Sequence, residues 1–363
     1  GTRMKLISLM YPPFFTLLPL WGQGFWGNAF PEPRIEYSPK TYVCHKAETS
    51  ILVDGKLNDK AWSDVKWTDS FVDIEGSLKP DPYYDTKVKM TWDDNYFYFG
   101  AYMEDPHVWA TITARDAVVY KDNDFEIFLD PDGDTHNYYE LEVNAFETEW
   151  DLILLKPYHD AEKVALDSWD IPGLISKVHV DGTINDPSDM DKGWSVEIAI
   201  PWKGFINNFR SKTPPTDGEI WKVNFSRVHW DTEIKDGEYV KTDSPEFNWV
   251  WSPQGHIYMH FPHFWGRVQF TETPSGSEEI QFLDDGLDKI RWALRQVYFR
   301  QRNYNFKNER YTASLKKLNL MKAPFEGVPW PPKIMVTPSG WEAELVFGDS
   351  SMFIRKDGKV WGN

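Results

Sequence analysis

Two neighbouring segments of the sequence carry carboxylate and amide side chains at every second position. Glu126 and Asp130 alternate with apolar residues in the first segment, and Glu140, Glu142 and Asn144 do so in the second. This alternation predicts β-strands, on which residues two apart lie on the same face. The connection between the segments is short enough for a hairpin, which would bring three carboxylates and an amide onto one surface.

Four roles remain open for such a surface. It can be the solvated outer face of an antiparallel sheet. Its oxygens can accept hydrogen bonds from sugar hydroxyls, or they can hold calcium, a hard cation that prefers oxygen ligands. Finally, Glu126 can work with Glu140 or Glu142 as acid and base, or acid and nucleophile, in a glycoside hydrolase or lyase. Residue types alone do not choose among these four.

The turn that follows the first acidic segment has acids at alternate positions. Asp130, Asp132 and Asp134 surround Gly133, but the loop lacks the length of an EF-hand and its closing glutamate at position twelve. We expect these three aspartates to hold calcium. The alternative interpretation is an ordinary Asp-Gly turn.

Aromatic residues are unusually abundant, with 19 Trp, 17 Tyr and 23 Phe among 363 residues. Aromatic rings can fill a core or stack on the apolar faces of sugar rings. Five of them flank polar loops that contain proline or glycine and are the better candidates for a site: Tyr120, Trp150, Trp249, Trp251 and Trp265. Met259, His260 and His263 lie close together in sequence, which leaves a haem ligated by Met and His as a further possibility.

Composition excludes several classes of protein. The formal net charge is −17, which disfavours binding to the phosphate backbone of nucleic acid. Cys44 is the only cysteine, so the chain has neither an internal disulfide nor a cysteine-based zinc site. The sequence contains no phosphate-binding loop and no dinucleotide-binding fingerprint.

The amino-terminal segment differs from the rest. Arg3 and Lys5 precede an apolar run over residues 6–21, and Gly27 and Ala29 are small residues before a possible cleavage site. This pattern predicts a secretory signal peptide over residues 1–29. A buried amino-terminal extension is the alternative. Since no second long apolar stretch follows, we expect a secreted or periplasmic protein without a membrane span in the mature chain.

These candidate residues must be positioned by β-structure. From about residue 51 to 270, short alternating or aromatic segments are separated by Asp-Gly turns, which predicts an antiparallel β-sandwich with jelly-roll or immunoglobulin-like layers. After a Ser/Gly/Pro stretch, Leu287, Ile290 and Leu294 recur at helical spacing, with Asp284 or Asp285 as amino cap. Three short strands then follow.

The charge also changes at this point. Residues 281–363 contain 14 Lys and Arg against 9 Asp and Glu, whereas the rest of the chain is strongly acidic. Such a change at a linker indicates a domain boundary. We predict a β-sandwich over residues 45–272 and a small α+β tail over 284–363, which is a possible contact surface for a protein partner.

Several blocks in this order resemble the family-9 carbohydrate-binding module: residues 54–62 (DGKLNDKAW), 88–98 (VKMTWDDNYFY), 123–130 (NDFEIFLD) and 193–202 (GWSVEIAIPW). The resemblance covers about residues 45–272. It implies a β-sandwich, bound calcium and two aromatic rings that clamp a terminal sugar. The same architecture is related to a sugar- and haem-binding domain type, and the tail resembles a pilin head in architecture only.

When the family's site residues are matched to this sequence position by position, the resemblance implies an altered site. Tyr120 stands where the family has the first clamp Trp, and Glu126 and Asn144 are retained. Glu142 replaces an arginine, so a donor has become an acceptor. No Trp stands at the position expected for the second clamp Trp, and Trp251 lies earlier in the sequence. The insert over residues 150–191 would roof a deeper pocket.

We therefore predict an exported, non-catalytic protein that binds a polysaccharide or oligosaccharide. Tyr120, Trp150 and Trp251 are expected to stack on sugar rings. Five residues are expected to hydrogen-bond hydroxyl groups: Arg115, Glu126, Glu142, Asn144 and Gln254. The alternatives remain a glycoside hydrolase or lyase that uses Glu126 with Glu140 or Glu142, and a haem-binding domain.

Overall fold

A computed structural model describes residues 32–160, 163–205 and 214–362. The predicted signal peptide, residues 1–29, lies outside these described residues. None of the described helices is long and apolar enough to cross a membrane.

The part of the chain from residue 41 to 274 is built almost entirely from strands. Among the described residues of this stretch, the short helical elements are the helix α1 (Lys60–Ser63) and five 3₁₀ turns, at Gly76–Leu78, Val119–Lys121, Tyr158–Asp160, Trp202–Phe205 and Pro262–Phe264. The strands in chain order are β1 (Thr41–Lys46), β2 (Val72–Asp73), β3 (Thr86–Trp92), β4 (Tyr96–Glu104), β5 (Asp124–Asp130), β6 (Tyr138–Asn144), β7 (Glu149–Leu154), β8 (Ala165–Leu166), β9 (Ile175–Asp181), β10 (Gly193–Pro201), β11 (Ile220–His229), β12 (Thr232–Lys235), β13 (Glu238–Lys241), β14 (Phe247–Val250) and β15 (Gly266–Pro274).

Two layers form the sandwich. One has the strand order β8-β7-β6-β5-β11-β15, with β14 paired to β11 and β2 paired to β14, and the other has the order β3-β4-β10-β9. Strand β1 joins them, because it pairs with β15 on one side and with β3 on the other. Both pairings of β1 are parallel, whereas the remaining pairings are antiparallel. The predicted β-sandwich is confirmed, with this local exception to its antiparallel pattern.

The core lies between the two layers. Alternate residues of β5 and β6 point into it, and they meet aromatic side chains from β4. The rings of Phe99 on β4 and Phe225 on β11 lie 5.9 Å apart, and those of Phe97 and Trp221 also lie 5.9 Å apart. Much of the aromatic content therefore fills the core, where large rings bury the most apolar area.

The tail consists of one long helix and a small sheet. Helix α2 (Leu287–Asn308) packs against the antiparallel strands β16 (Lys333–Val336), β17 (Trp341–Phe347), β18 (Ser350–Arg355) and β19 (Val360–Gly362). The predicted helix and strands are thus present. The amino cap was predicted one residue or more too early, because Gly286 holds that position with φ 74°. Asp284 and Asp285 instead accept backbone N–H bonds from Gly286 and Leu287.

Buried ion pairs connect the tail to the sandwich. Lys222 on β11 contacts Asp288 in the first turn of α2 at 3.0 Å, and both side chains are almost fully buried. Burial lowers the pKa of Lys222. Burial alone would raise the pKa of Asp288, but the Lys222 ammonium and a hydrogen bond from Tyr37 hold it below its usual value. The second pair joins Asp160, in the 3₁₀ turn Tyr158–Asp160, to Arg302 at 2.7 Å.

Replacing Asp288 tests how strongly the tail depends on this contact. We expect Asp288→Asn to lower the free energy of unfolding by about 3–5 kcal/mol, because it leaves the Lys222 ammonium buried without its counter-charge. Asp285→Asn, an exposed change in the same segment, is the control and should alter stability by less than about 0.5 kcal/mol. Chemical denaturation of both variants gives the comparison. Equal unfolding free energies would contradict this role for the pair.

Candidate functional site

The acidic residues of β5 and β6 lie on the face turned away from the sandwich core. Phe125, Ile127 and Leu129 of β5 point into the core. Asp124, Glu126 and Phe128 therefore point to the opposite face, because successive side chains of a strand alternate. Strand β6 repeats the arrangement, with Glu140, Glu142 and Asn144 on that same outer face. The predicted shared surface is present.

Four strands place one row of side chains across this face. Glu126 lies directly opposite Ser226 on β11 and directly opposite Glu142 on β6, and Glu142 lies opposite Trp150 on β7. Residues opposite each other on paired strands lie about 5 Å apart. We call the set Ser226, Glu126, Glu142 and Trp150 the acidic row.

The acidic face is not a solvated outer surface. Glu142 is 1% exposed, Glu126 and Glu140 are each 5% exposed, and Asp124 is fully buried. Burial raises the pKa of Glu126 to about 7, against a smaller opposing effect of the nearby Ser226 hydroxyl. Burial, and next the neighbouring Glu126 carboxylate, raise the pKa values of Asp124, Glu140 and Glu142 well above their usual range.

Aromatic side chains frame the acidic face. The backbone N–H of Tyr120 donates to Glu142 at 2.9 Å, and its ring is 39% exposed. Trp150 ends the acidic row and is partly buried. Tyr158, from the predicted insert, packs edge-on against His260 with ring centroids 4.7 Å apart. His260 in turn accepts or donates a hydrogen bond at 2.8 Å with Tyr138, and burial lowers its pKa to about 3.

The structure thus brings together Tyr120, Glu126, Glu142 and Trp150 of the predicted site residues. Tyr158 and Glu140 join them. Glu140 lies close enough to Tyr120 to raise its pKa, and Tyr120 lies close enough to Tyr158 to raise the pKa of Tyr158. We call the space over the acidic row, beside Tyr120, Trp150 and Tyr158, the recess. Its acidic floor and aromatic neighbours suit a ligand that combines hydroxyl donors with an apolar face.

Arg115 does not reach this recess. Its guanidinium donates to Asp151 at 2.6 Å and to Asp170 at 2.9 Å, and it also pairs with Glu149. Glu149 and Asp151 alternate with Trp150 on β7, so they lie on the opposite face of the sheet. The prediction that Arg115 joins Glu126 and Glu142 is therefore wrong. Asp151 and Asp170, which belong to the insert, pair with Arg115 and keep it away from the face that carries Glu126 and Glu142.

Asn144 lies on the acidic face, but its hydrogen-bonding capacity is used within the protein. Its amide nitrogen donates to the Ile112 carbonyl at 2.8 Å and to Asp122 at 3.1 Å. Its oxygen accepts the backbone N–H groups of Phe146 and Thr148. Asn144 therefore holds the turn between β6 and β7 rather than a free sugar-binding position.

Trp251 and Gln254 are buried, which corrects two further predictions. Trp251 is 1% exposed and packs so closely on Gly266 that a Cβ there would lie 2.3 Å from its ring. Trp249 and Trp265 are equally inaccessible. Gln254 is fully buried and donates to the Tyr258 carbonyl at 2.7 Å. The loops beside these residues fold inward, so loop proximity did not indicate exposure.

The aspartates of the β5–β6 turn form a second acidic cluster. Asp130, Asp132 and Asp134 can place one carboxylate oxygen each within 4.8 Å of the others. Asp130 is fully buried, and its Oδ1 has no hydrogen-bond partner among the described residues. Burial and the adjacent Asp132 and Asp134 carboxylates raise its pKa. Three oxygen donors and an unpartnered buried oxygen fit a calcium ion. Lys359 of the tail lies 3.3 Å from Asp134.

The residues considered for haem ligation, Met259, His260 and His263, are each packed against other side chains of the protein. Met259 packs into the cluster around Phe128 and Trp265, whereas His263 lies against Trp292 of α2 in a separate cluster. His260 is engaged by Tyr138. Haem binding therefore stays a prediction from the sequence.

Sequence reasoning missed Asp124, Ser226 and Tyr158. Asp124 is in phase with Glu126, so the alternation that identified Glu126 also indicated Asp124. Ser226 follows only from the pairing of β5 with β11, which the sequence does not reveal. Tyr158 belongs to the insert that was expected to roof the pocket, but no local pattern singled it out.

Eight chains of solved structures match this chain, whereas no curated protein does. A family-9 carbohydrate-binding module from Caldicellulosiruptor kristjanssonii, solved with cellotriose, is 18% identical, with 67% of this chain and 100% of that chain covered and a TM-score of 0.42. Its glucose complex has 18% identity, 66% and 100% coverage and a TM-score of 0.42. A Bacteroides uniformis protein, provisionally described as carbohydrate-binding, has 16% identity, 64% and 100% coverage and a TM-score of 0.48.

The family assignment rests on the sequence profile. The profile of the family described as "Carbohydrate family 9 binding domain-like" matches residues 53–271, more than half of the chain. The resemblance stated from the sequence blocks is thereby confirmed. The chain belongs to the carbohydrate family 9 binding domain-like family.

Proposed function

We propose that this chain is an exported, non-catalytic protein that binds an oligosaccharide or polysaccharide in the recess above the acidic row. Membership of the carbohydrate family 9 binding domain-like family supports a carbohydrate ligand. The observation that carries the proposed site is the acidic row itself, where Glu126 and Glu142 adjoin Trp150 and the half-exposed ring of Tyr120.

The recess offers both kinds of contact that a sugar requires. Carboxylates accept hydrogen bonds from hydroxyl groups, and such bonds to charged acceptors are stronger than neutral ones. Tyr120 and Trp150 offer ring faces to the apolar side of a pyranose. Where the resemblance places an arginine, this chain has Glu142, so the floor has gained a carboxyl acceptor in place of a cationic donor. The preferred ligand should therefore present several hydroxyl donors.

Export is proposed from the sequence of residues 1–29, with their basic start, apolar run and small residues before Phe30. Calcium at Asp130, Asp132 and Asp134 is also part of the proposal. The buried Oδ1 of Asp130 supports it, because an unpartnered buried carboxylate oxygen is costly without a counter-charge.

A polysaccharide-cleaving enzyme is the second candidate. The observation in its favour is the pKa of Glu126, raised to about 7 beside the Glu142 carboxylate, which is the combination that a general acid needs. Incubation with a polysaccharide panel distinguishes the two functions. Retained protein without soluble products supports binding, whereas products that disappear in Glu126→Gln would make the acidic row an active site.

Removing the Tyr120 ring tests the binding site. We expect Tyr120→Ala to weaken oligosaccharide binding by about 1–3 kcal/mol, roughly 5- to 150-fold, because the stacking face and its buried area are lost. The ligand is the best binder from the polysaccharide panel, and titration calorimetry measures the change.

Trp67→Ala is the matched control. Trp67 is another partly exposed ring, 36% exposed, and it lines a separate cleft of about 480 Å³ beside β1 and the linker. Its removal should leave affinity unchanged. If Trp67→Ala weakens binding and Tyr120→Ala does not, the sugar site lies at that cleft instead.

Calcium should stabilise the protein through the β5–β6 turn. We expect saturating calcium to raise the melting temperature of the wild-type chain, because a ligand that binds only the folded state adds to its stability. Asp132→Asn removes an exposed member of the turn cluster and should reduce the increase. Asp170→Asn, an exposed acid of the Arg115 network, should not. Equal calcium shifts in all three proteins would contradict the turn site.

A further inference from the structure

We propose that Asp124, Glu126 and Glu142 hold a divalent cation, calcium by the chemistry of its ligands, and that hydroxyl groups of a bound sugar complete its coordination. The second part of this statement rests on the proposed carbohydrate-binding function. The first part concerns the protein alone and is tested without a sugar. We call these three residues the floor cluster.

The geometry of the floor cluster fits a calcium ion. Each of the three residues offers one carboxylate oxygen, and these oxygens all lie within 4.8 Å of one another. Calcium binds oxygen at about 2.3–2.6 Å, so oxygens on opposite sides of one ion are separated by roughly 4.6–5.2 Å. One ion can therefore contact all three carboxylates.

Two buried oxygens at the floor cluster stand out, one on Asp124 and one on Ser226. Asp124 is fully buried, and its Oδ2 has no hydrogen-bond partner within the described ranges; only its Oδ1 has one, the Val228 N–H at 3.4 Å. Ser226 is also fully buried, and its hydroxyl lies close enough to Glu126 to lower the pKa of that carboxyl, although no hydrogen bond of standard geometry satisfies the hydroxyl among the described residues. Buried polar atoms are nearly always paired, so these two require a partner.

The charge balance favours a divalent cation over a protein counter-ion. Among the described residues, no lysine or arginine forms an ion pair with Asp124, Glu126 or Glu142. His260 lies 3.9 Å from the neighbouring Glu140 through its Nε2, and burial keeps that imidazole neutral. Three adjacent buried carboxylates repel one another, and a divalent ion offsets more of that repulsion than the single ammonium of an amino sugar.

This site is distinct from the aspartates of the β5–β6 turn. Asp130 lies four residues beyond Glu126 on the same strand, a separation of about 13 Å. Phe128 and Glu140 stand opposite each other between the two clusters. The floor cluster also differs in position, because it lies beneath Tyr120 and Trp150. Calcium takes about six to eight oxygen ligands, so three carboxylates would leave positions for hydroxyl groups of the proposed ligand.

The test titrates calcium into full-length protein that has been stripped with a chelator, with Asp132→Asn as background to remove the turn site. Calorimetry should show one calcium ion per chain in this background. Adding Glu126→Gln should weaken that binding at least tenfold. Adding Asp167→Asn, an exposed acid near Tyr158, is the charge-matched control and should leave it unchanged. Because Glu126→Gln removes a buried charge at constant shape, it should fold, and circular dichroism checks this.

The same proteins are then titrated with the panel's best oligosaccharide, with calcium or with chelator. Binding that falls at least tenfold in chelator supports the whole proposal. Sugar binding that is equal in both buffers overturns calcium-mediated recognition and leaves the proposed function intact. Glu126-dependent calcium binding without any sugar binding supports the cation site and contradicts the proposed function. The cation site is overturned if the Asp132→Asn protein binds no calcium. It is also overturned if a glucosamine oligomer binds equally well in chelator.

Discussion

The burial of several carboxylates on one face of a sheet is the constraint on which the rest of this structure depends. Strand alternation sends the apolar side chains of β5 and β6 into the core and leaves Asp124, Glu126, Glu140 and Glu142 on the other face. Surrounding elements then cover that face, so the charges are desolvated without a paired lysine or arginine among the described residues. Such an arrangement persists only if protons, a cation or a hydrogen-bonding ligand offset its cost.

The tail supports the wall of this recess. Tyr158 stands beside the acidic face, and Asp160, two residues later, is fixed to α2 by Arg302 and by the Tyr298 hydroxyl, each at 2.7 Å. A separate cluster of apolar residues joins the tail to the loop before β15. The tail is thus connected to the proposed binding site through one short turn. A loss of tail packing should change the recess as well as the stability of the chain.

The sequence was sufficient for the strands and for the shared face of Glu126 and Glu142, because both follow from a period of two. It was insufficient wherever the outcome depended on tertiary packing. Trp251 flanks a glycine-containing loop and was expected at the surface. The loop folds inward instead, and the Trp251 ring packs directly on Gly266. Arg115 was grouped with Glu126 and Glu142, but its acidic partners Glu149 and Asp151 on β7 hold it on the other face, which no local pattern indicated. The resemblance identified the family correctly, but it could not tell whether Asn144 was free to bind a ligand.

A crystal structure of the chain with calcium and the best-binding oligosaccharide tests the central claim most directly. The account predicts a sugar ring between Tyr120 and Trp150, with density for a cation in contact with Asp124, Glu126 and Glu142. Density for a sugar without a cation would support the proposed binding site and contradict the proposed metal site. Sugar bound at the cleft beside Trp67, with the recess above the acidic row left empty, would contradict the account.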